Sequence, residues 1–346
     1  MVWLHDPHPL LKCHEAFHFR RIRACSGDSL MIFAAKGRSR SMSRTSFISR
    51  GDLQRHLAAS GSTFALLDAA RLPGLVDRLE GRGYEPLCLF QGAAAETLAD
   101  AAPYLVRLEG DSDLLRHFLD DGDLHWAMWR KRPGILIETG MTAGALRKHL
   151  RRFLRVSIDG TAFFFRFWEP AAAASYFQAL TSPARRAPWF FPRETGQIEA
   201  FLIPDPRRDG LKVEDMGPVS RADVPSPRPA FTLDAAELAA IRGARVEDDL
   251  IEMERLMAET FPAETGALAI EDLRRGLRRS VGRAREFGIR QKRNAFRLAA
   301  WDLHCAGPFE RTDPTGELRR ILEMPHPEAD KMRRLTDQIG LIEGKA

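Results

Sequence analysis

The sequence predicts an α/β (α+β) N-terminal lobe with a mixed sheet, followed by an all-α C-terminal lobe. Three observations carry that prediction. Short β-rich runs alternate with helical runs between residues 62 and 205, six prolines crowd residues 204–229, and apolar residues recur at helical spacing from Thr232 onward. The expected organisation is an α/β domain over 62–205, a proline-rich linker over 206–230 and a helical lobe over 231–341. Residues 1–45 show no strand or helix period and read as a tail, with Met42 a plausible alternative start.

Each element has its own justification. FALLDAA (64–70) reads as a buried strand ending in a polar turn. EPLCLF (85–90), PYLVRL (103–108) and GILIET (134–139) are further strands. Thr142 can cap a helix reaching Phe153, with Leu146, His149, Leu150 and Phe153 on one side. LRVSI (154–158) and TAFFFRFW (161–168) flank Asp159-Gly160, a pair suited to the positive φ angles of a type I′ hairpin turn. Alternation puts Phe163, Phe165 and Phe167 on the core face and Phe164, Arg166 and Trp168 on the other. Arg166 between two aromatics should find a carboxylate or stack on a ring.

AAAASYFQAL (171–180) follows Glu169-Pro170 as a helix, and QIEAFLI (197–203) reads as the last strand. Proline at the density of 204–229 can continue neither a helix nor a central strand. Beyond it, Asp234 and Glu237 have the spacing of a capping box. Val246, Leu250, Met253, Met257 and Phe261 form one apolar stripe, and Ile270, Leu273, Leu277, Val281 and Ala284 a second. Further helices are expected over 291–305, 316–323 and 328–341.

Composition narrows the function. The chain has 346 residues, 44% hydrophobic and 29% charged, the balance of a globular protein and not of a disordered one. No apolar run has the length of a membrane helix, so no membrane insertion is expected. The four cysteines (Cys13, Cys25, Cys88, Cys305) form no disulfide framework and fit a reducing compartment. Of the net charge of +5, all lies in residues 1–45, with eight bases and three acids; the rest holds 44 of each sign. A neutral body has no field to steer a polyanion, so no nucleic acid is expected as partner.

Charge in the helical half is segregated. Residues 247–272 hold nine acids and one base, whereas 273–297 hold ten bases and one acid. These segments can neutralise each other, or the arginine face can bind an acidic partner. Arg274, Arg275, Arg278, Arg279 and Arg283 are the partner-binding candidates. The basic 273–297 helix keeps nucleic-acid binding as an alternative, although aromatics are not interleaved among its arginines.

Catalytic patterns are absent from the sequence: there is no Gly-x-Ser-x-Gly elbow, phosphate loop, dinucleotide fingerprint or His-Glu-x-x-His. His5, His8, Cys13, His14, His18 and Cys25 follow no zinc spacing. Asp120, Asp121, Asp123 and His125 around Gly122 lack the later acid of a calcium loop. No catalytic residue, metal or cofactor is expected; an enzyme or toxin without a recognisable motif is the alternative.

The blocks LLDAARLPGL (66–75), APYLVRL (102–108), GILIET (134–139), LRKHLRRFLRV (146–156) and DGTAFFFRFWEP (159–170) occur in one order and spacing. Together they resemble the domain of unknown function (4123) that defines the effector adaptors, or effector chaperones, of the type VI secretion system. Two motifs depart from the family pattern. Arg166-Phe167-Trp168-Glu169-Pro170 stands for Arg-Phe-Tyr-Asp-Pro, and Phe190-Phe191-Pro192 for Phe-Gly-Pro. REFGIRQKRNAFRLAAWDLHCAGPFE (285–310) is similar to the helical module that often follows. The resemblance implies a non-enzymatic cytoplasmic protein that binds a cognate secreted effector and helps load it onto the valine-glycine-repeat spike. Its motif residues Asp68, Pro103, Tyr104, His149, Arg166, Glu169 and Pro170 are expected to be architectural.

Overall fold

In the computed structural model, residues 46–343 are described, apart from 60, 61, 110, 111, 123, 159, 160, 206 and 228. The zinc and alternative-start readings of 1–45, and the Asp159-Gly160 turn, lie outside the described residues. The chain divides between Asp248 and Asp249 into two compact units. The first is α+β and the second is helical, as the sequence predicts.

The first unit is organised by strands buried on both faces. Thr63–Asp68 (β2) and Gly134–Thr139 (β5) are buried at every residue, which explains their unbroken apolar runs. They pair with each other, and β2 also pairs with Pro103–Leu108 (β4). Gly134 must be glycine because a Cβ there would collide with the Leu66 carbonyl. Ser46–Ser49 (β1), Leu87–Cys88 (β3), Ile198–Asp205 (β8) and Gly210–Asp215 (β9) complete a sheet of order β1-β9-β8-β5-β2-β4-β3. Every pairing is antiparallel, where a mixed sheet was expected.

Helices flank this sheet: Arg50–Ala59 (α1), Leu75–Glu80 (α2), Ala93–Thr97 (α3), Asp113–Leu119 (α4), Ala143–Leu150 (α5), Pro170–Ala179 (α6) and Pro183–Phe190 (α7). The Thr142 hydroxyl accepts from Ala145 N at 3.3 Å and starts α5 as its sequence requires. Leu146, His149, Leu150 and Phe153 are all buried. Arg155–Ile158 (β6) and Thr161–Phe164 (β7) form the expected hairpin as a two-stranded sheet of their own.

Three expectations change. The 206–230 segment holds β9, so the chain returns to the sheet where a linker was expected, and 197–203 is not the last strand. Pro204 is tolerated in β8 because it lies beyond the final β5 pair, Leu136–Leu202. The run 85–90 shortens to the two-residue β3. Hairpin alternation also ends at Phe164. Beyond it Phe165 N donates to Leu154 O at 2.9 Å and Glu169 N to Arg166 O at 3.1 Å, closing a turn. Trp168 therefore points inward with Phe165 and Phe167, while Phe163 is 48% exposed.

Ala235–Thr260 (α8) begins with the predicted capping box: Glu237 N donates to Asp234 Oδ1 at 2.8 Å and Asp234 N to Glu237 Oε2 at 3.0 Å. The division between units falls inside α8. The second unit continues with Pro262–Thr265 (α9), Ile270–Glu286 (α10), Lys292–His304 (α11), Glu317–Glu323 (α12) and Glu328–Glu343 (α13). Its core includes Leu250, Met253, Met257, Leu273, Leu277, Val281 and Ala284, members of both stripes, although Ile270 is exposed. Lys331, buried, donates to Phe287 O at 2.7 Å and Leu322 O at 2.8 Å, satisfying the carbonyl ends of α10 and α12.

Candidate protein-binding surfaces

Three of the motif residues, Asp68, Pro103 and Arg166, meet at the end of β2. Asp68 is its last residue and 1% exposed. Its Oδ1 accepts from Ala70 N at 3.0 Å, and its Oδ2 accepts from Trp168 Nε1 at 3.0 Å and from the Arg166 guanidinium. Arg166 thus finds the carboxylate its setting calls for. Pro103 lies opposite Asp68 in the β2–β4 register, and Asp68 N turns instead to Pro133 O at 2.8 Å.

The next carboxylate repeats the device. Glu169 Oε1 accepts from Arg71 at 3.1 Å, and its Oε2 lies 3.6 Å from Arg245. Glu169 precedes α6, whose first residue Pro170 has its φ fixed for a helix start. Asp68 and Glu169 therefore pin both ends of the turn that carries Phe167 and Trp168 into the core.

Tyr104 donates to Ala99 O at 3.1 Å; burial, with the nearby Cys88 thiol, pushes its hydroxyl up to about 12. His149 Nε2 donates to Trp189 O at 2.8 Å, and its ring meets Phe153 edge-on. Trp189 in turn donates to Tyr176 Oη at 3.0 Å and stacks on Phe153 at 3.7 Å. Burial and the charge of Glu237 push the Tyr176 hydroxyl well above its ordinary value. The hydrogen bonds and ion pairs named here for Asp68, Tyr104, His149, Arg166 and Glu169 all run to residues of the first unit.

Two ion pairs with buried carboxylates escape sequence reasoning. Arg186 and Glu214, 3% and 0% exposed, pair at 3.2 Å, with Lys212 3.1 Å from the same carboxylate. Arg185 binds Glu237, so the capping box also holds an arginine. The available signal was Arg185-Arg186 inside the apolar, aromatic-rich run that ends in Trp189-Phe190.

The five candidate arginines separate into two classes. Arg274 donates to Glu254 at 2.7 Å. Arg283, 18% exposed, reaches Asp302 at 2.6 Å and Glu310 at 3.2 Å, and Asp302 also accepts from Ser280. Arg283 is therefore a packing residue of the helical unit. Arg275, Arg278 and Arg279 remain exposed, and Arg275 lies 3.2 Å from Asp272, three residues before it on the same helix. Lys292 sits between Asp249 (2.9 Å) and Glu252, so part of the segregated charge is neutralised inside this unit.

The β6–β7 hairpin offers a different surface. Phe163 and Phe164 are 48% and 49% exposed. Phe164 lies 5.3 Å from Phe90 and under the Arg155 guanidinium at 5.9 Å. Arg147 donates to Cys88 O at 2.5 Å and to Phe90 O at 3.3 Å. Among the described residues, no group of His, Cys, Asp and Glu could hold a metal ion, and no helix is long and apolar enough to cross a membrane. Asp120 and Asp121 are engaged by Gly122 N and Arg50, each at 2.9 Å.

Residues 63–187 match the model of a domain of unknown function (DUF4123). The match runs from the first residue of β2 into α7. It contains the Asp68 and Glu169 anchors, the hairpin and His149. Comparison with curated proteins and with solved structures gives no match.

Proposed function

We propose that this chain is a non-enzymatic adaptor of the type VI secretion system, a chaperone that binds a cognate toxic effector in the producing cell's cytoplasm. It then helps load the effector onto the valine-glycine-repeat spike. The observation that carries this reading is the DUF4123 match over 63–187, which coincides with the motif series resembling such adaptors. The geometry supports it. The motif's polar side chains are bound up in internal contacts, and cations and aromatic rings stand at the surface. That is the equipment of a binding scaffold. Capture followed by hand-off suits an affinity of roughly μM to nM.

The test is co-expression of the tagged chain with the products of its neighbouring genes, followed by affinity purification. A toxin-like protein that co-purifies stoichiometrically, and is poorly soluble alone, is the expected result. A folded chain that emerges without either such a protein or the spike overturns the reading. The exposed Arg275, Arg278 and Arg279 give a second arm: their reversal to Glu should weaken capture of an acidic partner and flatten its salt dependence.

A further inference from the structure

The outer edge of β7 is an unfilled strand position. In the β6–β7 ladder the register pairs Arg155 with Phe164, Val156 with Phe163 and Ser157 with Ala162. Phe165 N donates to Leu154 O, so Leu154–Phe165 is a hydrogen-bonded pair. Antiparallel alternation then makes Val156–Phe163 the next such pair. The N–H and C=O groups of Ala162 and Phe164 face away from β6. The two-stranded sheet has no third member on that side among the described residues, and all of β7 is exposed. An exposed strand edge carrying two phenylalanines is a template for another chain.

The surroundings specify the chemistry of that chain. Arg155 covers the Phe164 ring, Phe164 meets Phe90, and Arg147 is bonded to the Phe90 carbonyl. Arg151 caps the C-terminus of α5 four residues after Arg147, one helical turn on, and burial and then the charge of Arg147 push its guanidinium down from its ordinary value. Among the described residues no carboxylate pairs with Arg147, Arg151 or Arg155. This contrasts with Arg71, Arg132, Arg166, Arg185 and Arg186 of the same unit, which all have one. A second copy of this chain would bring like charges together at the edge, so self-pairing is disfavoured.

We propose that the outer edge of β7 receives an extended acidic segment of a protein partner as a third strand. Its alternate apolar side chains would pack on Phe164, and its carboxylates would pair with Arg155, Arg151 and Arg147. Naming the partner as the effector rests on the adaptor reading; the site itself does not.

Ala162→Pro tests the site cleanly. It removes only an outward-facing N–H, leaves the hairpin ladder intact and suits an edge strand. The probe is a labelled Val-Asp-Val-Asp-Val-Asp peptide, with Val-Lys-Val-Lys-Val-Lys as control, titrated against the full chain by fluorescence anisotropy. The wild type should bind the acidic peptide and not the basic one. Ala162→Pro and Arg155→Glu should each weaken binding about tenfold or more, with thermal midpoints unchanged. Amide exchange at Ala162 and Phe164 should slow when the acidic peptide is added. No binding by the wild type, equal binding of both peptides, or full binding by a folded Ala162→Pro chain overturns the proposal. A neighbouring-gene product that still co-purifies with Ala162→Pro would leave the adaptor reading standing and place its docking elsewhere. Loss of every partner from the wild type, with peptide binding intact, would sink the adaptor reading alone.

Discussion

Trp168 donates its indole N–H to Asp68 across 100 residues of sequence, at 3.0 Å, and both side chains are buried. The same carboxylate holds Arg166 and caps the short turn after β2. One group thereby ties the hairpin's exit to the centre of the sheet. Asp68→Ala should cost about 1.5–3 kcal/mol, because it strips a charge-assisted bond and leaves the indole N–H without a partner. Asp68→Asn should cost less, since its amide oxygen still accepts. Urea unfolding should show a lower midpoint at unchanged slope. Equal losses for the two variants would contradict the role assigned to the charge.

Arg283 and Arg275 share a helix and should behave oppositely. Arg283→Ala leaves Asp302 and Glu310, both buried, without their cation, and should destabilise the chain by about 3 kcal/mol or more. Arg275→Ala loses one exposed i,i+3 pair and should stay within about 0.5 kcal/mol of wild type. Paired unfolding curves decide this. They also show which arginines can be reversed to probe partner binding without unfolding the chain.

Much of this was legible in the sequence, for physical reasons. β2, β4 and β5 are mostly apolar because nearly all their residues, on both faces, are buried. The Asp234–Glu237 capping box is local, so spacing alone reveals it. Arg166's need for a carboxylate was also legible, but not that Asp68 would supply it, because that pairing spans 98 residues. β9 was hidden by the prolines around it. The reversal of Phe163 and Trp168 follows from where the strand stops, which depends on a tertiary bond from Phe165 to Leu154 and not on alternation. The division of the arginines into packing and exposed members likewise needed the positions of Asp302 and Glu310.

Alkaline pH should destabilise the chain through its tyrosines. The folded state raises Tyr176 well above the ordinary tyrosine value and Tyr104 to about 12, in both cases first by burial. An unfolded tyrosine ionises near about 10. Above that pH the unfolded state binds fewer protons than the folded state, so stability falls as pH rises. Below it these groups contribute no slope. Urea midpoints should therefore drop between about pH 10 and about pH 12. Tyr176→Phe should flatten that drop, while losing stability at neutral pH because Trp189 Nε1 is left without an acceptor. An unchanged slope in Tyr176→Phe would refute the assignment.

The Arg186–Glu214 pair makes the sharpest energetic prediction, because both partners are buried in an aromatic-rich core. Taking two charges out of water is expensive, and their attraction offsets that cost only while both are present. Arg186→Met alone leaves Glu214 facing Lys212 only, and it also removes the side-chain donor from the Asp215 carbonyl. Glu214→Met alone leaves two cations without their carboxylate. Each single change should cost about 3–5 kcal/mol. Replacing both by methionine removes the uncompensated charge, so the double variant should lose much less than the two single losses added together. A double-mutant cycle measures that difference directly. Simple additivity would mean that the two groups are not coupled as their geometry requires.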